Sequence, residues 1–167
     1  MGPKVAHVNT SDSAPDIAIE KLDDTAAGEV LTLQRAAFVS EAQIYGSADM
    51  PPLTQTLEQV RAELRESDAL GARRDGRLVG AIRFRVDGAT LLVGRISVAP
   101  DQQGEGVGRL LLASAEQRSD AREAELFTGS LSEANIRLYE SCGYAVSERV
   151  GEGDGTEQVF MRKTLRE

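Results

Sequence analysis

The stretch Ser97-Val98-Ala99-Pro100-Asp101-Gln102-Gln103-Gly104-Glu105-Gly106-Val107-Gly108-Arg109-Leu110-Leu111-Leu112 constrains the fold of this chain more than any other. An apolar strand runs into a turn with glycine at positions 104, 106 and 108, and a helix starts directly from those glycines, with Val107, Leu110, Leu111 and Ser114 on one face. Glycine reaches φ > 0 and lets the backbone approach a ligand, so successive N–H groups can converge on one anion. The positive end of the following helix adds to that attraction. The stretch predicts an α/β domain with a phosphate-binding turn at the end of a central strand. A glycine-rich loop that merely turns a corner is the alternative, and the helix springing from the glycines argues against it.

Which phosphate is a separate matter. No Lys-Ser or Lys-Thr follows the last glycine, so the Walker pattern fails. The G-x-G-x-G spacing lies two-thirds along the chain, after a β-meander and not after a first strand, so the dinucleotide pattern fits poorly.

The rest of the chain supplies that meander. At 167 residues it predicts one domain, with a polar segment 1–15 read as a flexible tail and residues 16–167 as the folded unit. Ile17–Glu20 reads as a short strand; Asp23 or Asp24 caps a helix that buries Ala27, Val30, Leu31 and Phe38, and Asp49-Met50-Pro51-Pro52 forces a loop. Thr56 with Gln59 three residues on has capping-box spacing and opens a second helix that buries Leu57, Val60 and Leu64. Ala69–Arg73 reads as a strand, and Asp75-Gly76 as a hairpin turn. Leu78, Gly80, Ile82, Phe84 and Val86 then alternate with outward Arg77, Arg83, Arg85 and Asp87, and Thr90–Ala99 reads as a central strand. Helix 106–119, strand 124–128, helix 133–141, strand 144–150 and strand 157–164 follow.

Charge narrows the partners. Nineteen Lys plus Arg against 27 Asp plus Glu leave a net charge of −8 with no basic stripe, which excludes nucleic acid and favours cationic or amine-bearing partners. No apolar run approaches the roughly 20 residues of a membrane span, and the first residues lack a signal peptide's apolar centre, so no membrane association and a cytoplasmic location are expected. One Cys and one His cannot close a zinc site, so no metal is expected.

Gln103-Gly104-Glu105-Gly106-Val107-Gly108 resembles the Q/R-x-x-G-x-G/A pyrophosphate motif of the GNAT superfamily of N-acetyltransferases, and Ile96-Ser97-Val98-Ala99-Pro100 resembles the strand that leads into it. The resemblance extends in element order over about residues 16–165. It implies a central, mostly antiparallel sheet of six to seven strands, splayed in the middle between the strand ending near Val98 and the strand Glu125–Thr128, and flanked by about four helices. It further implies that acetyl-CoA is co-substrate. Its pantetheine would pair with the backbone of Ile96 and Val98, and its pyrophosphate would meet the amides of Gln103 to Gly108. The Val98 N–H would face the thioester oxygen as negative charge develops there. Gln103 stands where relatives often carry Arg, which shifts weight onto Arg109 and the helix end. Relatives often pair through their C-terminal strands, so a homodimer is also implied.

Ser132-Glu133-Ala134-Asn135-Ile136-Arg137-Leu138-Tyr139-Glu140-Ser141-Cys142-Gly143-Tyr144 opens on a good N-cap and closes on a helix-ending glycine. Asn135 and Tyr139 are four apart and share one helical face. The stretch is similar to the family's N-x-x-x-x-L/Y-Y-x-x-x-G-F/Y signature, which implies that Asn135 contacts the pantetheine arm and that Tyr139 sits beside the sulfur. A leaving thiolate with a pKa of about 8.5 can take a proton from a phenol, which makes Tyr139 the candidate acid. Packing as a helix anchor is the other reading of that tyrosine.

The base is less legible, because Gly94 and Arg95 stand where many relatives place an acid. Glu41 and Asp49 are the candidates, though each reads first as a solvated surface acid, and Tyr45 and Met50 are candidates for the acceptor pocket or for simple packing. Cys142 has no nearby His to activate it and reads as a buried thiol, while His7 belongs to the tail. The expectation is an acetyltransferase acting on a primary amine, small-molecule or peptide, by direct attack in a ternary complex. The alternatives are a CoA or acetyl-CoA sensor without turnover, and a nucleotide-binding oxidoreductase.

Overall fold

The computed structural model describes residues 17–167, so the segment read as a tail, with His7, lies outside the described residues. The elements run β1 (Ala18–Lys21), α1 (Ala27–Tyr45), α2 (Pro51–Thr54), α3 (Leu57–Glu66), β2 (Asp68–Arg74), β3 (Arg77–Asp87), β4 (Thr90–Val98), α4 (Val107–Gln117), β5 (Glu123–Gly129), α5 (Glu133–Ser141), β6 (Ala145–Gly151) and β7 (Glu157–Thr164). The seven strands form one sheet in the order β1-β2-β3-β4-β5-β7-β6. Only the β4–β5 neighbours are parallel. This is the mixed α/β architecture expected, with a single turn of helix (α2) where the prolines were read as loop.

Two local events open the middle of the sheet. β4 and β5 pair only from Thr90↔Glu123 to Leu92↔Glu125, and beyond that point each strand continues without the other. At the same level the β3–β4 register slips between Ile82↔Ile96 and Phe84↔Val93, leaving Gly94 and Arg95 together opposite Arg83. Such a bulge bends its strand. A Cβ at 94 would crowd the Arg83 carbonyl oxygen at 3.1 Å, which favours glycine there.

Helices cover both faces. Gly80 of β3 faces α4 so closely that a Cβ would meet Val107 Cγ1 at 2.6 Å, while Arg83, on the opposite face of the same strand, reaches Gln34 of α1 at 3.0 Å. The core between these layers is aliphatic, with Leu70, Ile82, Leu91, Leu111, Leu112 and Met161 almost wholly buried.

Several sequence expectations change here. Leu33, Gln34 and Ala37 are buried on α1, while Leu31 and Phe38 are only half-buried, because the seam of that helix is built around a polar residue. Gln34 donates to the Pro52 carbonyl (3.1 Å) and to Gln55 Oε1 (3.0 Å), and accepts from Arg83. Arg83 therefore points inward although the alternation placed it outward, and Val86, beside the Asp87 turn, is 49% exposed. Leu57 and Leu110 are each 38% exposed. Thr56 and Gln59 do form the reciprocal capping box, and Gly143 takes φ 97° after α5.

Candidate active site

The Ala99 N–H donates to the Val79 carbonyl (2.8 Å). In an antiparallel pair alternate residues face the partner, so Ala99 and Ser97 bond β3 while Ile96 and Val98 turn their main-chain groups away from it. β5 has already departed, so those groups face the gap. The Val98 carbonyl accepts from Gln103 Nε2 (3.2 Å), which directs the side chain of Gln103 to the strand end.

The gap leads to the glycine turn. Gly104 and Gly106 adopt φ 79° and 85°, and nothing stands within 4 Å of a Cβ at either. Among the described residues the amides of Gln103 to Arg109 have no acceptor, and the first bond of the helix runs from the Leu110 N–H to the Gly106 carbonyl at 3.0 Å. Gly108 is buried, and a Cβ there would touch Leu138 of α5 at 3.4 Å. The turn is held from behind by residues that motif reading overlooked. Arg77 forms a forked pair with Asp101 (2.6 and 2.7 Å), and Arg74 donates to Gln102 Oε1 (2.7 Å) and lies 3.8 Å from Glu105.

Ile96, Val98, the turn, the second half of α1 and one face of α5 enclose a cleft of about 720 Å³. Asn135 and Tyr139 both line it, as does Arg137, which the sequence reading left aside. Tyr139 is 8% exposed, with its ring edge-on to Tyr144. Its hydroxyl makes no hydrogen bond among the described residues; burial, then the charge of Glu41, then Cys142 hold the phenol well above its ordinary range. Arg109 also lines the cleft, but its guanidinium donates to the carbonyl (3.2 Å) and hydroxyl (2.7 Å) of Ser141, fastening α4 to the end of α5.

Glu41 reaches this cleft from α1. Its carboxylate accepts from Ser132 Oγ (2.6 Å) and from Asn135 Nδ2 (3.4 Å). Ser132 thus bonds across to α1 and does not cap α5 with its side chain. The same hydroxyl meets Tyr45 Oη at 2.8 Å, and Tyr45 Oη accepts the Leu131 N–H at 3.2 Å. Tyr45 packs so tightly on Gly129 that a Cβ at 129 would collide with its hydroxyl. The C-terminal turn of α1 is thereby bonded to the loop between β5 and α5.

A second cleft, of about 480 Å³, lies where β4 and β5 part, on the α3 side of the sheet. Gly94 and Arg95 form its floor with Arg83; Phe127 and Phe160 form an apolar wall, and Glu63 and Glu66 line the α3 side. Met50, Asp49 and Tyr45 line neither cleft. Among the described residues no group of three or more His, Cys, Asp and Glu could hold a metal ion, and no helix is long and apolar enough to cross a membrane.

A sequence profile of the acetyltransferase (GNAT) domain matches residues 40–165. The chain belongs to the GNAT acetyltransferase family. Among curated proteins it is similar to the UPF0157 protein YqkA of Bacillus subtilis, 28% identical over 138 residues, which are 82% of this chain and 40% of that protein. The chain therefore spans less than half the length of that relative. Among solved structures it is similar to PaiA N-acetyltransferase of Thermoplasma acidophilum in complex with coenzyme A (19% identity, TM-score 0.73, 89% of this chain and 99% of that one). It is also similar to the ribosomal-protein-S18-alanine N-acetyltransferase of Escherichia coli (18%, TM-score 0.73, 91% and 96%) and to yncA of Salmonella typhimurium with acetyl-CoA (21%, TM-score 0.69, 91% and 95%). The splayed sheet is the GNAT fold.

Proposed function

We propose that this GNAT domain moves an acetyl group from acetyl-CoA to a primary amine of a small molecule or peptide by direct attack in a ternary complex. The observation that carries the reading is one continuous surface: the main-chain groups of Ile96 and Val98 turned into the gap, leading to a row of acceptor-free amides from Gln103 to Arg109. Acetyl-CoA supplies the activated acyl group as a thioester. Ile96 and Val98 pair with the pantetheine arm as an added strand would, Asn135 contacts the same arm, and the amides of the turn hold the diphosphate.

The amine nitrogen bonds to the thioester carbonyl carbon, and the carbon–sulfur bond breaks. The Val98 N–H stabilises the negative charge developing on the carbonyl oxygen. Tyr139 gives its proton to the departing sulfur. Glu41 takes the proton of the attacking amine, directly or through water, and releases it to solvent, from which the phenol recovers its own.

Release of free CoA thiol with acetyl-CoA and an amine panel tests the proposal. Tyr139→Phe is expected to lower kcat by a factor on the order of 10²–10⁴, and an unchanged rate removes Tyr139 from the chemistry. A second reading, a CoA or acetyl-CoA sensor without turnover, draws on the Glu41 carboxylate being already engaged by Ser132 and Asn135. Thermal stabilisation by acetyl-CoA with no thiol released across the panel would favour it.

A further inference from the structure

The floor of the second cleft holds more positive charge than its surroundings neutralise. The side chains of Arg83 and Arg95 are 8% and 19% exposed, and the acid they share is Glu63, 3.3 Å from Arg83 Nη2 and 3.9 Å from Arg95 Nη1. Their remaining partners are neutral: Gln34 Oε1 for Arg83 and Gln55 Oε1 for Arg95. Two cations against one carboxylate leave 2 − 1 = +1 on two largely buried guanidinium groups. Arg83 Nη1 is buried with no hydrogen-bond partner. Burial, then the neighbouring Arg95, pull the Arg83 pKa down to about 10 against the opposing charge of Glu63, and burial lowers that of Arg95 against the same acid. An uncompensated buried charge is costly, and a bound anion would offset that cost.

The other charged residues of the cleft leave the excess in place. Arg85 and Glu66 are both exposed and offset one another, and Glu125 is paired with Arg162 at 2.7 Å. The cations sit at the β4 bulge, and Ile96, the residue after Arg95, faces the cleft on the other side of the split. An anion bound at Arg95 therefore lies next to Ile96 on the same strand that carries Val98, the residue proposed to face the thioester oxygen. Beside it, Phe127 (57% exposed) and Phe160, with ring centres 5.4 Å apart, offer an apolar wall.

We infer that the amine acceptor is an α-amino acid with an apolar side chain, its carboxylate held by Arg95 and Arg83 and its side chain laid on Phe127 and Phe160. Guanidinium groups match carboxylates with forked, charge-assisted hydrogen bonds. The inference rests on the acetyl-transfer reading for its reaction, but not for its binding site.

Thiol release is measured for leucine, methionine, valine and phenylalanine and for their carboxamides, at saturating acetyl-CoA. At least one acid is expected to exceed its own amide about tenfold or more in kcat/KM. Arg95→Gln is expected to raise KM for that acid about 10- to 100-fold and abolish the preference, with KM for acetyl-CoA unchanged. Amides used as well as acids, or a preference that survives Arg95→Gln, would overturn the inference. Titrating wild-type protein with the same compounds, watching the arginine Nε–H resonances of Arg83 and Arg95, separates the two readings. Shifts with acids and not amides support the site even where no thiol is released, which would then count against acetyl transfer alone. Resonances unmoved by every acid overturn the site whatever the turnover.

Discussion

The two clefts that meet at the split between β4 and β5 are made of different parts of the polypeptide. On the α4–α5 side the recognition surface is main chain: acceptor-free amides from Gln103 to Arg109 and the inward-turned groups of Ile96 and Val98. Two side chains that sequence logic assigned to the ligand are engaged with the protein, Gln103 on the Val98 carbonyl and Arg109 on Ser141. On the α3 side the surface is side chain, with Arg83, Arg95 and Glu63 over a floor shaped by the bulge. The difference teaches how the diphosphate site proposed above is compatible with a chain of net charge −8. Oriented N–H dipoles attract an anion without adding a formal charge, so the acidic composition does not oppose them. It also separates two kinds of sensitivity, because an amide surface fails when the backbone conformation fails, and a charged floor fails when one side chain changes.

Four experiments sharpen or break that contrast. The largest effect is expected at Glu41, where a side chain enters the amide-lined cleft. Glu41→Gln keeps the hydrogen-bonding shape beside Ser132 and Asn135 but removes the proposed base, and kcat should fall by a factor on the order of 10²–10⁴. A fall of less than tenfold in a thiol-release assay would move the base elsewhere. Next comes Gly106→Val, which meets open space but forces a β-branched residue to φ 85°. Strain of roughly 1–3 kcal/mol should weaken acetyl-CoA binding by about tenfold or more in calorimetric titration, with kcat at saturation little changed. Undiminished affinity would show that the amides of the turn do not hold the diphosphate.

Thr56→Ala should touch neither cleft. It removes the side-chain bond to the Gln59 N–H (3.2 Å) at the start of α3 and should cost about 1 kcal/mol in denaturant unfolding. A large change in kcat/KM would mean that α3 governs the second cleft more directly than its contacts suggest. The smallest effect concerns pH. Because the folded-state pKa of Tyr139 is raised, its proton is retained beyond the ordinary phenol range. The kcat profile should rise as the amine loses its proton and show no descending limb near pH 10. A limb at that pH, absent in Tyr139→Phe, would mean that the phenol is solvated when the substrates are bound.

Much of this architecture could be read before folding. The bounds of α5 and β7, the capping box at Thr56, the turn at Gly143 and the strand-turn-helix passage around Gly104 and Gly106 all rest on local conformational preference, and the structure has them in place. The misses share one cause. Alternation along β3 sent Arg83 outward, and helical periodicity buried Leu31 and Phe38 in place of Gln34, because a pattern of apolar residues cannot represent a buried polar pair. Ser132 looked like a helix cap, yet it bonds Glu41, which lies 91 positions earlier in the chain. No signal in either segment announces that bond.

What the sequence determined by itself is whatever one short segment imposes on its own backbone. Glycines set the φ angles of the turn, a helix starts behind them, and Asn135 and Tyr139 fall on one face because they are four residues apart. What only the tertiary structure decided is which groups are left without a partner. The pairing of β4 with β5 stops at Leu92, so the main chain of Ile96 and Val98 turns to open space, and Arg83 and Arg95 are brought onto a single Glu63. The physical reason is that hydrogen bonds and charges are satisfied by neighbours in space, and for these residues the neighbours come from distant parts of the chain.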